Sequence, residues 1–232
     1  MAWILRPIDR LILWIGRMVF LFVALSVGWV LFHAVVPPSS TLTMGLRAQA
    51  GAEIKTDWIS LEEMSPHLIR AVIASEDSKF CSHRGFDVEQ IKAALAEAEN
   101  GNGLRGASTI SQQTAKNVFL WPGRGWVRKG FEAWFTALIE VFWGKERILE
   151  AYLNVAEWGD GYFGAEATAQ GRFGKPAAGL NAAEASLMAT VLPNPHKWRV
   201  SPPGPYVSRR SYTVRKRMAV VRQQALDACV AE

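Results

Sequence analysis

The sequence predicts a mainly α-helical protein, with a single transmembrane helix ahead of one globular body. Three observations carry that expectation: an uncharged apolar run of 19 residues, Met18 to Val36, near the N-terminus; apolar residues at helical spacing from about Ser65 onward; and a scarcity of strand signals. The 232 residues, 50% hydrophobic, can bury one sizeable core and leave little room for a second large domain. The formal charge of +5 favours an acidic partner, and charge alone does not choose among headgroups, nucleic acid and phosphorylated substrates. Ten tryptophans and eleven phenylalanines tilt the choice toward membrane, because amphipathic rings favour the bilayer interface.

The chain reads as residues 1–17, a short cytoplasmic N-terminus; 18–36, the membrane helix; 37–57, a juxtamembrane linker; and 58–232, the body. As a helix the uncharged run spans about 28 Å, the thickness of a hydrocarbon core. Arg6, Arg10 and Arg17 precede it, so the positive-inside tendency puts the N-terminus in the cytoplasm and everything after Pro37 outside. The run is longer than a signal-peptide core and lacks a clean small-x-small cleavage site after it. A buried core helix would show one apolar stripe, whereas here every face is apolar. Pro37, Pro38, Ser39 and Ser40 stop the helix.

In the body, Asp87 to Asn100, Thr109 to Phe119, Trp126 to Trp143 and Lys145 to Leu153 carry helical spacing between Gly- or Pro-containing breaks. Cys81 and Cys229 are the two cysteines, without a CxxC pair, which argues against a thiolate metal site; a disulfide between them is one alternative, and they are read as free or buried.

Three segments hold candidate chemistry. In LIRAVIASEDSKFCSHRGFD, Leu68, Ile69, Val72 and Ile73 form a buried helix face that delivers Glu76 and Asp77 at its C-terminal end. A carboxylate emerging from apolar surroundings is suited to acid or base work; the plain alternative is helix capping, with His83 a core histidine. In GLRGASTISQQTAKNVFL, Gly103 and Gly106 precede a helix start, and Thr109 and Gln112 have capping-box spacing. Ser108, Gln112 and Lys116 recur every fourth residue, placing hydroxyl, amide and ammonium on one face as an anion-binding set, or as an ordinary solvated face. In the third segment Arg128 and Glu132 stand at i,i+4, a pairing that is more often a surface ion pair than a site.

Together these segments resemble the family 51 glycosyltransferases, and among them the monofunctional biosynthetic peptidoglycan transglycosylases. E-D-x-x-F-x-x-H-x-G falls on Glu76, Asp77, Phe80, His83 and Gly85. G-x-S-T-I-[ST]-Q-Q followed by K-N falls on Gly106 and Ser108 to Gln113, then Lys116 and Asn117. R-K-x-x-E falls on Arg128, Lys129 and Glu132. K-x-x-I-L-E-x-Y-L-N falls on Lys145, Ile148, Leu149, Glu150, Tyr152, Leu153 and Asn154. A fifth stretch, GDGYFGAEATAQGRFGK, departs from the family at Ala165, where isoleucine is common, and at Arg172, where tyrosine is common.

The resemblance implies a lysozyme-like α-helical fold outside the cytoplasmic membrane, polymerising lipid II into glycan strands. Glu76 would be the general base, with Asp77, His83 and Gly85 shaping its loop. Lys116, Arg124 and Arg128 would offset charge on the pyrophosphate leaving group, with Ser108, Gln112 and Gln113 as hydrogen-bonding partners. Glu132 matches the family's second essential glutamate, which either polarises the leaving group through a divalent cation, Mg2+ or Mn2+, or positions the basic residues. The partners implied are lipid II, the growing lipid-linked glycan, the inner membrane and cell-division or elongation proteins, with no nucleic acid. Val118, Phe119, Leu120, Trp121 and Trp126 beside Arg124 form either a flap dipping into the outer leaflet or a loop packed on the core. No S-x-x-K, S-D-N and K-T-G set is present, so transpeptidase activity is not expected. Two other classes fit parts of the pattern: a lytic transglycosylase or muramidase, which has no pyrophosphate to hold, and a non-catalytic membrane scaffold, for which intact Glu76 and Glu132 would be unneeded.

Overall fold

The computed structural model describes residues 2–100, 106–123 and 125–230, with side chains from residue 8 onward; Gly103 and Arg124 lie outside the described residues. It divides into two compact units, residues 1–36 and 37–232.

The first unit is one helix, α1 (Ala2–Val35). Its stretch Ile8–Val35 has a mean hydropathy of 2.3 in its most apolar window, long and apolar enough to cross a membrane. The helix starts well before the uncharged run, because Leu11, Ile12, Leu13, Trp14 and Ile15 continue a helix-compatible apolar sequence through Arg10 and Arg17. It ends just ahead of Pro37 and Pro38, whose rings cannot continue it.

In the second unit, α2 (Leu42–Gln49) leads into β1 (Lys55–Thr56) and a short 3-10 turn (Leu61–Glu63). Then come α3 (Pro66–Glu76), α4 (Val88–Glu99), α5 (Ile110–Phe119), α6 (Trp126–Phe142) and α7 (Lys145–Val155). The hairpin β2 (Glu157–Gly159) and β3 (Tyr162–Phe163) precedes α8 (Ala165–Phe173), α9 (Ala182–Val191) and α10 (Pro205–Gln223). The strands form a small sheet in the order β1-β3-β2, with β1 parallel and β2 antiparallel to β3.

The helices expected from spacing are present to within two residues at each end, since caps act locally. Ser65 caps α3 with Pro66 as its first residue, Asp87 caps α4 through Gln90 N–H, and Thr109 with Gln112 forms the expected capping box on α5. Two packed groups make the core: α3 against α9 and α10, and α5 against α6 and α7. The fully buried side chains Leu68, Ile73, Phe80, Ile110, Ile148, Leu149, Leu153 and Met188 fill them. Spacing did not delimit α9, because apolar and small residues surround it on every side and leave no stripe to read.

One reading is corrected here. Cys81 and Cys229, read as free or buried, form a disulfide with Cα atoms 5.5 Å apart. The chain after α10 folds back onto the loop after α3 and brings together residues 148 positions apart, which no local pattern could register.

Candidate active site

Glu76 is the last residue of α3, so the buried face Leu68, Ile69, Val72 and Ile73 fixes where its carboxylate emerges. Gln113 on α5 donates from Nε2 to Glu76 Oε2 at 2.9 Å, and the Gln113 Oε1 accepts from the Tyr152 hydroxyl at 3.4 Å. Burial raises the Glu76 pKa above its ordinary value, against the Gln113 hydrogen bond and the positive charges of Arg210 and Lys116. Burial likewise pushes the Tyr152 hydroxyl well up, keeping it a proton donor. Arg210, from α10, is a charged neighbour of Glu76 that sequence reasoning missed, though it does not line the cleft: it stands among six basic residues on a helix with no acid, and no spacing singles it out.

Asp77, 3% exposed, is the C-terminal cap of α3. Its carboxylate accepts from His83 Nε2 at 2.9 to 3.0 Å and from Ile110 N–H at 3.0 Å, joining the loop after α3 to the first residue of α5. His83 Nδ1 accepts from Gly85 N–H at 3.1 Å, which leaves the ring hydrogen on Nε2, facing Asp77. Gly85 closes the arrangement: its carbonyl accepts from Thr109 Oγ1 at 2.6 Å, its φ is +85°, and a Cβ there would lie 2.8 Å from Thr136 Cγ2. Asp77 and His83 therefore direct their polar atoms into the fold and hold Glu76 in place.

The fourth motif is scaffold as well. Asn154 exchanges hydrogen bonds with the Ile59 backbone at 2.9 and 3.1 Å, and Glu150 accepts from Leu61 N–H at 3.1 Å. Lys145 pairs with Glu140 at 2.7 Å and lies 4.6 Å from the Phe80 ring centroid.

Ser75, Glu76, Gly106, Ser108, Gln112, Gln113, Lys116, Arg128, Lys129, Glu132 and Pro193 line one cleft of about 460 Å³. It gathers Glu76, Glu132, Ser108, Gln112, Gln113, Lys116 and Arg128 from the three sequence segments. Asp77 and His83 do not line it. Glu132, 3% exposed, accepts from Arg128 at 3.0 Å with one oxygen and from Lys129 with the other. Burial lowers the Lys116 pKa, opposed by the charge of Glu132. The Arg128 Nε–H is buried with no acceptor among the described residues, although the residue itself lines the cleft.

A protein-held divalent cation does not fit this donor set. Such ions need several oxygen ligands, and Glu132 already neutralises two cations beside a third, Lys116. Elsewhere, Glu157, Asp160 and His196 lie close enough to ligate an ion together, but Arg47 already pairs with both acids.

The flap segment divides. Val118, Phe119 and Leu120 are buried, with Phe119 stacked on Phe135 at 4.7 Å between centroids, so these three belong to the core and not to a surface flap. Trp121 is 44% and Trp126 92% exposed. Arg172, at the position that departs from the family, lies 4.3 Å from the Tyr162 ring centroid and covers the hairpin.

Residues 44–223 match the Transglycosylase family. A biosynthetic peptidoglycan transglycosylase from Rhodospirillum centenum is 50% identical over 99% of this chain and 98% of its own length. One from Caulobacter vibrioides is 51% identical over 87% of this chain and 88% of its own length, and one from Pseudomonas putida 49% identical over 93% and 91%. The body thus has the lysozyme-like fold, and the chain belongs to the transglycosylase family, among the biosynthetic peptidoglycan transglycosylases.

Proposed function

We propose that the protein polymerises lipid II into β-1,4-linked glycan strands with release of undecaprenyl pyrophosphate, as a single-pass inner-membrane enzyme whose body faces the periplasm. The observation that carries this reading is the cleft that Glu76, a carboxylate with a raised pKa, shares with the cationic group Lys116, Arg128 and Lys129. A glycan hydrolase needs the acid but has no pyrophosphate to hold.

Glu76 takes the proton from the 4-hydroxyl of the acceptor sugar, and the resulting oxygen nucleophile attacks the anomeric carbon of the growing chain. Attack opposite the α-linked pyrophosphate inverts that centre and needs no covalent glycosyl-enzyme. Negative charge grows on the departing phosphate oxygens, which Lys116 and Arg128, both lining the cleft, stabilise. Glu132 holds Arg128 and Lys129 in position, which favours the positioning role over a metal-mediated one. Arg124 would join this group.

The exposed Trp126 and Val127 at the start of α6, with the exposed Trp121 shortly before it, suit contact with the outer leaflet, where the lipid tail of the substrate lies. The disulfide fits an oxidising compartment such as the periplasm. The activity proposed for this chain is the glycosyltransferase one, with no transpeptidase motif set in these 232 residues, and cell-division or elongation proteins are the expected partners.

Detergent-solubilised protein incubated with labelled lipid II tests this reading. Polymer sensitive to muramidase, absent with Glu76→Gln, supports it. Release of soluble fragments from preformed peptidoglycan, with no polymer from lipid II, would move the protein to the lytic class.

A further inference from the structure

We infer that the segment after α10, residues 224–230, is an oxidation-dependent clamp that positions the Glu76 segment for catalysis. The inference rests on Glu76 as the base and concerns residues outside the cleft.

The segment is held by packing and two specific links. Asp227, 5% exposed, accepts from Arg70 Nε at 2.8 Å, and Cys229 is bonded to Cys81. Arg70 stands six residues before Glu76 on α3, and Cys81 five residues after it in the loop that also carries His83. The two links therefore straddle the base. Val230 is 7% exposed, and successive turns fold the segment back, with Leu226 N–H donating to Val221 O at 2.9 Å and Val230 N–H to Asp227 O at 3.0 Å. Ala225 has φ +49°, a left-handed conformation unfavourable for a residue with a Cβ, which persists only where surroundings impose it.

Glu76 also has anchors of its own: Asp77 to His83 and Ile110, and Gln113 to the carboxylate. With the clamp open these would keep the fold, while the loop at Cys81 gains freedom and the base spends less time in its reactive position. A dithiol reductant opens the clamp by converting the Cys81–Cys229 bridge to two thiols and becoming a disulfide itself. The enzyme would then reach full turnover only on the oxidising side of the membrane.

The test measures lipid II polymerisation by the full-length protein in detergent, oxidised and after dithiothreitol, well below both melting temperatures. Reduction is expected to lower kcat about tenfold, the scale of a small misplacement of a reacting group. KM should stay unchanged, and glutathione disulfide should restore kcat. The double variant Cys81→Ser, Cys229→Ser should match the reduced enzyme and ignore reductant. Asp227→Asn, which keeps the bridge, should lower kcat in the same direction. A lower melting temperature with kcat unaltered in the reduced enzyme and in Asp227→Asn would make the segment a stabilising staple alone and overturn the inference. That outcome leaves an active polymerase, whereas failure of the proposed function leaves no polymer in either redox state.

Discussion

Gln113 Nε2 donates to Glu76 Oε2 at 2.9 Å while its carbonyl oxygen accepts from Tyr152, so a residue of α5 ties the proposed base on α3 to the fully buried tyrosine of α7. The amide can aim the carboxylate without adding charge. Gln113→Ala should lower kcat about a hundredfold with KM little changed, because a misaimed base loses rate and not binding. Equal rises in KM with kcat intact would assign Gln113 to substrate binding instead.

Glu76→Gln should abolish turnover and also stabilise the fold at neutral pH. A carboxyl whose pKa is raised by burial favours the folded state only while protonated; that contribution is full below the unfolded pKa and is lost as pH rises through the folded one. The neutral amide escapes the loss. Melting curves should give the variant an advantage at pH 7 that disappears in acid, and an advantage persisting at pH 3 would contradict the burial argument.

In the wild type the same raised pKa sets the acid limb of activity. The limb of kcat/KM should lie above the usual carboxylate range, with activity rising as Glu76 loses its proton. A limb at an ordinary carboxylate position would mean that Glu76 is solvated in the free enzyme.

Lys116→Ala should raise the apparent KM for the proposed lipid-linked donor and weaken its dependence on salt, since a half-buried ammonium lining the cleft is removed. Glu132→Gln should act more broadly. With the shared carboxylate charge gone, Arg128 and Lys129 repel each other, and kcat should fall more than binding.

Gly85→Ala should destabilise the body by about 1–3 kcal/mol, because φ is +85° and the added Cβ would press on Thr136. Thermal unfolding checks this; an unchanged melting temperature would mean that α6 yields without resistance.

The sequence by itself determined what depends on neighbours along the chain. The periodicity of α4 to α7, the Thr109–Gln112 capping box, the arrest of α1 ahead of Pro37 and Pro38, and the motif residues that converge on the cleft were all legible, because caps and helical faces follow from residues three or four apart. Tertiary structure decided which motif residues line the cleft and which face the fold. Asp77 and His83 look as chemical as Glu76 in the sequence, yet their polar atoms meet Ile110 and Gly85, and Asn154 and Glu150 brace the segment at Ile59 to Leu61. Only the folded chain brings Arg210 to Glu76, Cys229 to Cys81 and Asp227 to Arg70. These partners are separated by more than a hundred residues, and burial and proximity at that range arise from how helices pack, which spacing along the chain does not encode.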